Sequence, residues 1–232
     1  MAFKHGIKPI ITDGLVFCID AANVLSYPGS GTTVTDLIGN DHNGNLEGGG
    51  FNSSNFGIFT FDGADDYIEL DTSLNVLFDA IDEFSLSMWV KIETEDGTGN
   101  RLFQAEGSSG GDFWKFSFQN LSNQIRFNTW SGSVNTLAAS SYSFNVWYNM
   151  VGTFKANTRQ KLYFNNTEVA SSTPTTLRTS DSGAKIRIGA TGNDTILRSF
   201  DGMVSNVLLY TKELSAAEVD QNYNALKYRF GL

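Results

Sequence analysis

Few side chains in this 232-residue chain could carry covalent or metal chemistry, and their spacing narrows the options. Cys18 is the single cysteine, which excludes an internal disulfide and any Cys-based zinc site. With only His5 and His42 besides, a zinc cluster would have to be mostly carboxylate. A Ser-His-Asp arrangement would also need one of these two imidazoles. His5 stands in a polar N-terminal stretch, His42 in a Gly/Asn-rich turn, and no Gly-x-Ser-x-Gly occurs, so both read as surface residues. The acidic run Glu93-Thr94-Glu95-Asp96 meets Gly97 and reads as a loop. What remains is a second kind of chemistry, the packing of a sugar's apolar face on an exposed ring. Trp130, beside Ser131-Gly132, is the best candidate for such a ring and Trp89 the second. Trp114, Phe116 and Phe118 share one face of a strand and are expected to fill a core.

The elements that must position these residues are short and numerous. Leu15 to Ile19 reads as a buried strand, followed by a turn-rich stretch from Tyr27 to Gly50. Phe84 to Ile92 alternates, with Phe84, Leu86, Met88, Val90 and Ile92 on one face and Ser85, Ser87, Trp89 and Lys91 on the other. Further strands are expected at 58–61, 66–70, 102–105, 113–118, 124–128, 146–154, 185–188 and 203–210. Asn165-Asn166 suits a tight hairpin turn between Lys161–Phe164 and Glu168-Val169, because Asn tolerates positive φ. The period then changes: Ser215-Ala216-Ala217-Glu218 is a capping box, Leu214 and Val219 form its staple, and Val219, Tyr223 and Leu226 continue at helical spacing.

Composition supports one large all-β domain. Hydrophobic residues make up 41% and charged residues only 18%, so the polar surface comes from Ser, Thr, Asn, Gln and Gly. A net charge of -9 argues against nucleic acid, which needs a basic stripe. No apolar run reaches the roughly 18–20 residues that span a bilayer, and no export signal is seen after Met1. Residues 1–13 read as an arm and 14–232 as the domain. The arm carries Phe3, Lys4, Ile7 and Lys8, with Ile10 and Ile11, as anchors that would order against a partner.

Several segments, taken in order, resemble a known family. Phe61-Asp62-Gly63-Ala64-Asp65-Asp66-Tyr67-Ile68, Phe84 to Lys91, Trp147 to Val169, Arg187-Ile188-Gly189 and Phe200 to Val207 resemble the motifs of laminin G-like, pentraxin-like, concanavalin A-type domains. The resemblance implies a two-sheet antiparallel jelly-roll sandwich with a short C-terminal helix. Asp13 to Phe17, Tyr27 to Thr33 and the closing Arg229-Phe230-Gly231-Leu232 are similar to segments of laminin G-like domains in tailed-bacteriophage structural proteins.

That resemblance implies calcium at Asp65 and Asp66, completed by Asn193 and Asp194 in the loop before the closing strand. The alternative is that the two aspartates only cap their turn. Relatives of the fold include β-glucanases, which carry Glu-x-Asp-x-x-Glu on one strand, and no such triplet occurs here. The expected protein is therefore a non-enzymatic virion component, in capsid decoration or a tail or fibre. It would attach to other virion proteins through its arm, form a homo-oligomer in the particle, bind host-cell glycans, and neither enter a membrane nor bind nucleic acid. A bacterial carbohydrate-binding or adhesion module is the alternative, and a glycoside hydrolase the third reading.

Overall fold

The computed structural model describes residues 8–39, 42–106, 114–130, 133–177, 179, 184–191 and 198–232. In chain order the strands are β1 (Leu15–Asp20), β2 (Thr33–Val34), β3 (Gly44–Glu47), β4 (Gly50–Asn52), β5 (Ile58–Asp62) and β6 (Tyr67–Leu70). The helix α1 (Thr72–Leu77) precedes β7 (Glu83–Ile92), β8 (Asn100–Glu106), β9 (Trp114–Leu121), β10 (Gln124–Trp130) and β11 (Val134–Ser140). Then come β12 (Trp147–Lys155), β13 (Arg159–Phe164), β14 (Thr167–Ser172), β15 (Ile186–Ile188), β16 (Asp201–Tyr210) and the helix α2 (Ala216–Leu226).

These strands make two antiparallel sheets. The first runs β14-β13-β12-β7-β16-β5-β4, with β1 also paired to β16, and the second runs β11-β10-β9-β8-β15-β6-β3-β2. Alternation sets the core between them. Phe84, Leu86, Met88, Val90 and Ile92 of β7 face Phe103, Phe116, Phe118 and Phe127 of the second sheet, all fully buried. The Asn165-Asn166 pair takes φ of 46° and 57°, the left-handed conformation that a two-residue hairpin turn demands.

The outer face of the first sheet is not open. A second apolar cluster of Leu15, Cys18, Val151, Tyr163, Leu208, Tyr210, Leu214 and Val219 lies on it beneath α2. The capping box is formed, with the Glu218 backbone N–H donating to Ser215 Oγ and the Ser215 backbone N–H donating to the Glu218 carboxylate. Residues 227–230 then turn as a 3-10 segment and bring Phe230 back over the sheet. Burial pushes the Cys18 thiol up to about 12, the Asp20 and Asp36 charges adding to the effect, so it stays protonated at neutral pH.

The N-terminal segment corrects an expectation. Ile10 and Ile11, read as anchors for a separate partner, pack against the cluster under α2. Ile11 N donates to Asn222 Oδ1 at 2.7 Å, Tyr210 Oη donates to Ile11 O at 3.1 Å, and Gln221 Nε2 donates to Pro9 O at 2.9 Å. The helix thus supplies both apolar surface and polar partners to the segment. Lys8 is exposed, while Phe3, Lys4 and Ile7 lie outside the described residues.

Candidate functional site

A polar row crosses the outer face of the second sheet from edge to edge. Strand register places Thr33 (β2) opposite Asn45 (β3), Asn45 opposite Glu69 (β6), and Glu69 opposite Arg187 (β15). It continues through Gln104 (β8), Ser117 (β9), Asn128 (β10) and Thr136 (β11). Directly opposed residues share a face, so these eight form one row across the sheet.

Hydrogen bonds join the row. Arg187 holds Glu69 Oε2 through Nε at 2.9 Å and a terminal nitrogen at 2.7 Å. Asn128 Nδ2 donates to Ser117 Oγ at 3.3 Å and Thr136 Oγ1 donates to Asn128 Oδ1 at 2.8 Å. Arg101 Nε reaches Gln104 Oε1 at 2.8 Å. The middle of the row, from Arg187 to Asn128, is buried, while Thr33 and Asn45 at one end and Thr136 at the other are exposed.

The Thr33 end opens into a cleft of about 430 Å³ lined by β2, β3, β6 and the start of α1. Asn45, Glu47, Tyr67, Glu69 and Asp71 face it. Tyr67 is half-buried, and the Arg187 guanidinium lies 4.4 Å from its ring centre. Asp71 caps α1, accepting from Ser73 N at 2.8 Å, and the Ser73 hydrogen bonds hold its carboxyl below the usual range. Sequence reading missed this site. The alternation in Tyr67-Ile68-Glu69-Leu70 and Gly44-Asn45-Leu46-Glu47 was the available signal, since it puts the polar residues of each strand on one face.

The two candidate rings fare differently. Trp130 is the last residue of β10 rather than part of a turn, half-buried on the outer face at the Thr136 end of the row. Trp89 is corrected: it is wholly buried, stacked 4.2 Å from Phe230 and 5.5 Å from Tyr223, because the C-terminal segment covers that face of β7. It offers no ring to a sugar.

The acidic turn between β5 and β6 sits at the edge of the sandwich. Carboxylate oxygens of Asp62, Asp65 and Asp66 lie within 4.8 Å of one another. Asp66 Oδ2 accepts from Asp62 N at 2.9 Å and Asp62 Oδ1 from Ala64 N at 2.8 Å, so the turn is also capped from within. Gly48, at φ +70°, packs so close that a Cβ there would fall 2.2 Å from Asp66 Oδ1. Burial, together with the charges of Asp62 and Asp65, raises the Asp66 pKa, against the Asp62 N–H, which favours the ionised form. An all-carboxylate donor set fits a hard cation such as Ca²⁺ and not a site built for zinc. Asn193 and Asp194, the other expected ligands, lie outside the described residues.

The chain belongs to the concanavalin A-like lectin/glucanases superfamily: a laminin G family model of that description matches residues 62–220. Solved structures share the fold at low identity. Trypanosoma rangeli sialidase in complex with the inhibitor DANA aligns with a TM-score of 0.72 and 17% identity, over 94% of this chain and 35% of that chain. Botulinum neurotoxin type C, whose uptake into cells depends on two ganglioside molecules, aligns with a TM-score of 0.68 and 15% identity, over 93% and 52%. The binding domain of Paraclostridial Mosquitocidal Protein 1 gives 0.68 and 17%, over 91% and 52%. The chain thus spans about half of each toxin chain and about a third of the sialidase chain. No curated protein matches the chain.

Proposed function

We propose that this chain is a non-enzymatic glycan-binding module carried by a tailed-phage particle, in capsid decoration or in a tail or fibre. The observation that carries the glycan reading is the cleft at the open end of the polar row, where amides, carboxylates and hydroxyls surround the Tyr67 ring. A sugar needs that combination: many hydrogen-bond partners for its hydroxyls and an aromatic face for its C–H groups. Membership in a lectin-containing superfamily supports the reading, as do neighbours named for a ganglioside and a sialidase inhibitor.

Binding without hydrolysis is favoured by what the cleft's carboxylates already do. A glycosidase needs one carboxylic acid holding a proton and one free carboxylate across the scissile bond. Of the three carboxylates lining the cleft, Glu69 is engaged by Arg187 and Lys185 and Asp71 is held ionised in capping α1, which leaves Glu47 alone without such a role, one short of a catalytic pair. The phage setting rests on the resemblance of the opening and closing segments. Arg229 of the closing segment holds Asp20, which lies between the two opening segments, at 2.9 and 3.0 Å. Several copies on one particle would let weak single sites add through multivalency. Calcium held by Asp62, Asp65 and Asp66 is part of the same proposal.

The test is direct binding to a glycan array, with Tyr67→Ala as the control. Binding that falls at least about ten-fold in the variant, with no release of shorter sugars over long incubation, is the expected result. Steady product release would favour the hydrolase reading, and retention by a purified phage particle addresses the setting.

A further inference from the structure

The lining of the cleft dictates a selectivity. Among the described residues that line it are three carboxylates, Glu47, Glu69 and Asp71, and no Lys, Arg or His. Arg187 and Lys185 both reach the Glu69 carboxylate, at 2.7 and 3.3 Å. Arg187 also donates to Thr191 O at 3.0 Å. Their charge is thus set against Glu69. Glu47 is exposed and takes only the neutral Asn45 amide, while Asp71 is exposed and takes the Ser73 N–H and hydroxyl, with the His42 ring 2.9 Å from that hydroxyl. Glu47 therefore faces the cleft without a cation opposite it, and the imidazole beside Asp71 stands outside the cleft lining.

Their spacing follows from register. Glu47 lies opposite Tyr67 and Asn45 opposite Glu69, while Asp71 N donates to Asn43 O at 3.1 Å. Tyr67, Glu69 and Asp71 therefore follow one another along the cleft at two-residue steps of roughly 7 Å. A ligand lying along β6 passes a ring and then one carboxylate after another.

Resting on the glycan-binding reading above, we propose that this cleft takes uncharged glycans and excludes acidic ones, whether sialylated, uronate-bearing or sulfated. Sugar hydroxyls donate well to carboxylates, in charge-assisted hydrogen bonds about twice as strong as neutral ones. An anionic sugar in the same place meets Glu47 and Asp71 at close range, on a protein whose net charge is already -9. Acidic ligands thus lose in both encounter rate and affinity.

The experiment compares matched neutral and sialylated oligosaccharides by calorimetry at low and high salt. It uses the full chain and the double variant Glu47→Gln/Asp71→Asn, in which Asn preserves the helix cap. The expected result is about ten-fold tighter binding of the neutral member at low salt. The gap should narrow as salt screens the carboxylates, and again in the double variant. Equal or tighter binding of the sialylated member by the wild type would overturn the selectivity, as would a gap that survives the double substitution. Failure of every glycan to bind would overturn the glycan reading itself, and the selectivity with it.

Discussion

Phe230 lies almost parallel to Trp89, their ring centroids 4.2 Å apart and their planes 16° from coplanar orientation. Trp147 also meets Phe230, its ring centroid 4.7 Å away and tilted by 42°. β7 presents Trp89 on the outward side of the first sheet, and the chain's last turn makes that face an interior. The covering is pinned by Arg229, which grips Asp20 and also donates to Ser205 Oγ at 2.7 Å.

Phe230→Ala should therefore cost about 2–3 kcal/mol, toward the low end for loss of a large ring because Phe230 is only half-buried. Urea unfolding measures the loss, and tryptophan emission should shift to the red as Trp89 meets water. An unshifted spectrum with full stability would show that the C-terminal turn does not seal this face.

The Asp66 carboxyl offers a test with a sign. Its pKa is raised, chiefly by burial, so the native state holds that proton more tightly than the unfolded chain does. Stability from this group is therefore lost as pH rises through the native pKa, and the ionised side chain is a net cost at neutral pH. Asp66→Asn keeps an acceptor for the Asp62 N–H and removes the charge. In chelator at pH 7 the variant should melt above the wild type, an advantage that disappears as pH falls below the Asp66 pKa. Calcium should raise the melting temperature of the wild type only, by binding the folded state. Identical wild-type melting curves in calcium and chelator would leave turn capping as the sole role of these aspartates.

Deleting residues 1–11 should destabilise the domain rather than leave it untouched. The deletion uncovers apolar surface under α2 and removes the bonds that Asn222, Gln221 and Tyr210 make to the segment. A cost of about 2 kcal/mol, or a fall in Tm of roughly 4–8 °C for a chain of this size, is expected in calorimetry. An unchanged melting temperature would return the segment to the status of a free arm.

Local pattern carried the sandwich a long way. β7 was legible because its inward residues alternate without a break, and α2 because its capping box is written in four consecutive residues. β11 was not, since Val134-Asn135-Thr136-Leu137-Ala138-Ala139-Ser140 holds only one large inward side chain, Leu137. α1 is six residues long, too short for a period to show. Trp89 was placed on the correct face, but alternation cannot distinguish a face open to water from one covered by residues about 140 positions later. The cleft failed for a related reason. Asn45 and Glu69 become neighbours only through the β3–β6 pairing, which no local signal announces.

The polar row has an evolutionary consequence. Its eight residues come from eight strands, spread over a width of roughly 34 Å at ordinary strand spacing. Each exposed position is backed by an inward neighbour that holds the core, so it can change without disturbing the packing behind it. Thr33 and Asn45 are open to replacement one at a time, while the buried stretch between Arg187 and Asn128, with Thr136 bonded to its end, keeps the face in shape. A lineage could thus rewrite the hydrogen-bonding pattern of this end of the surface in single steps, with the scaffold unchanged.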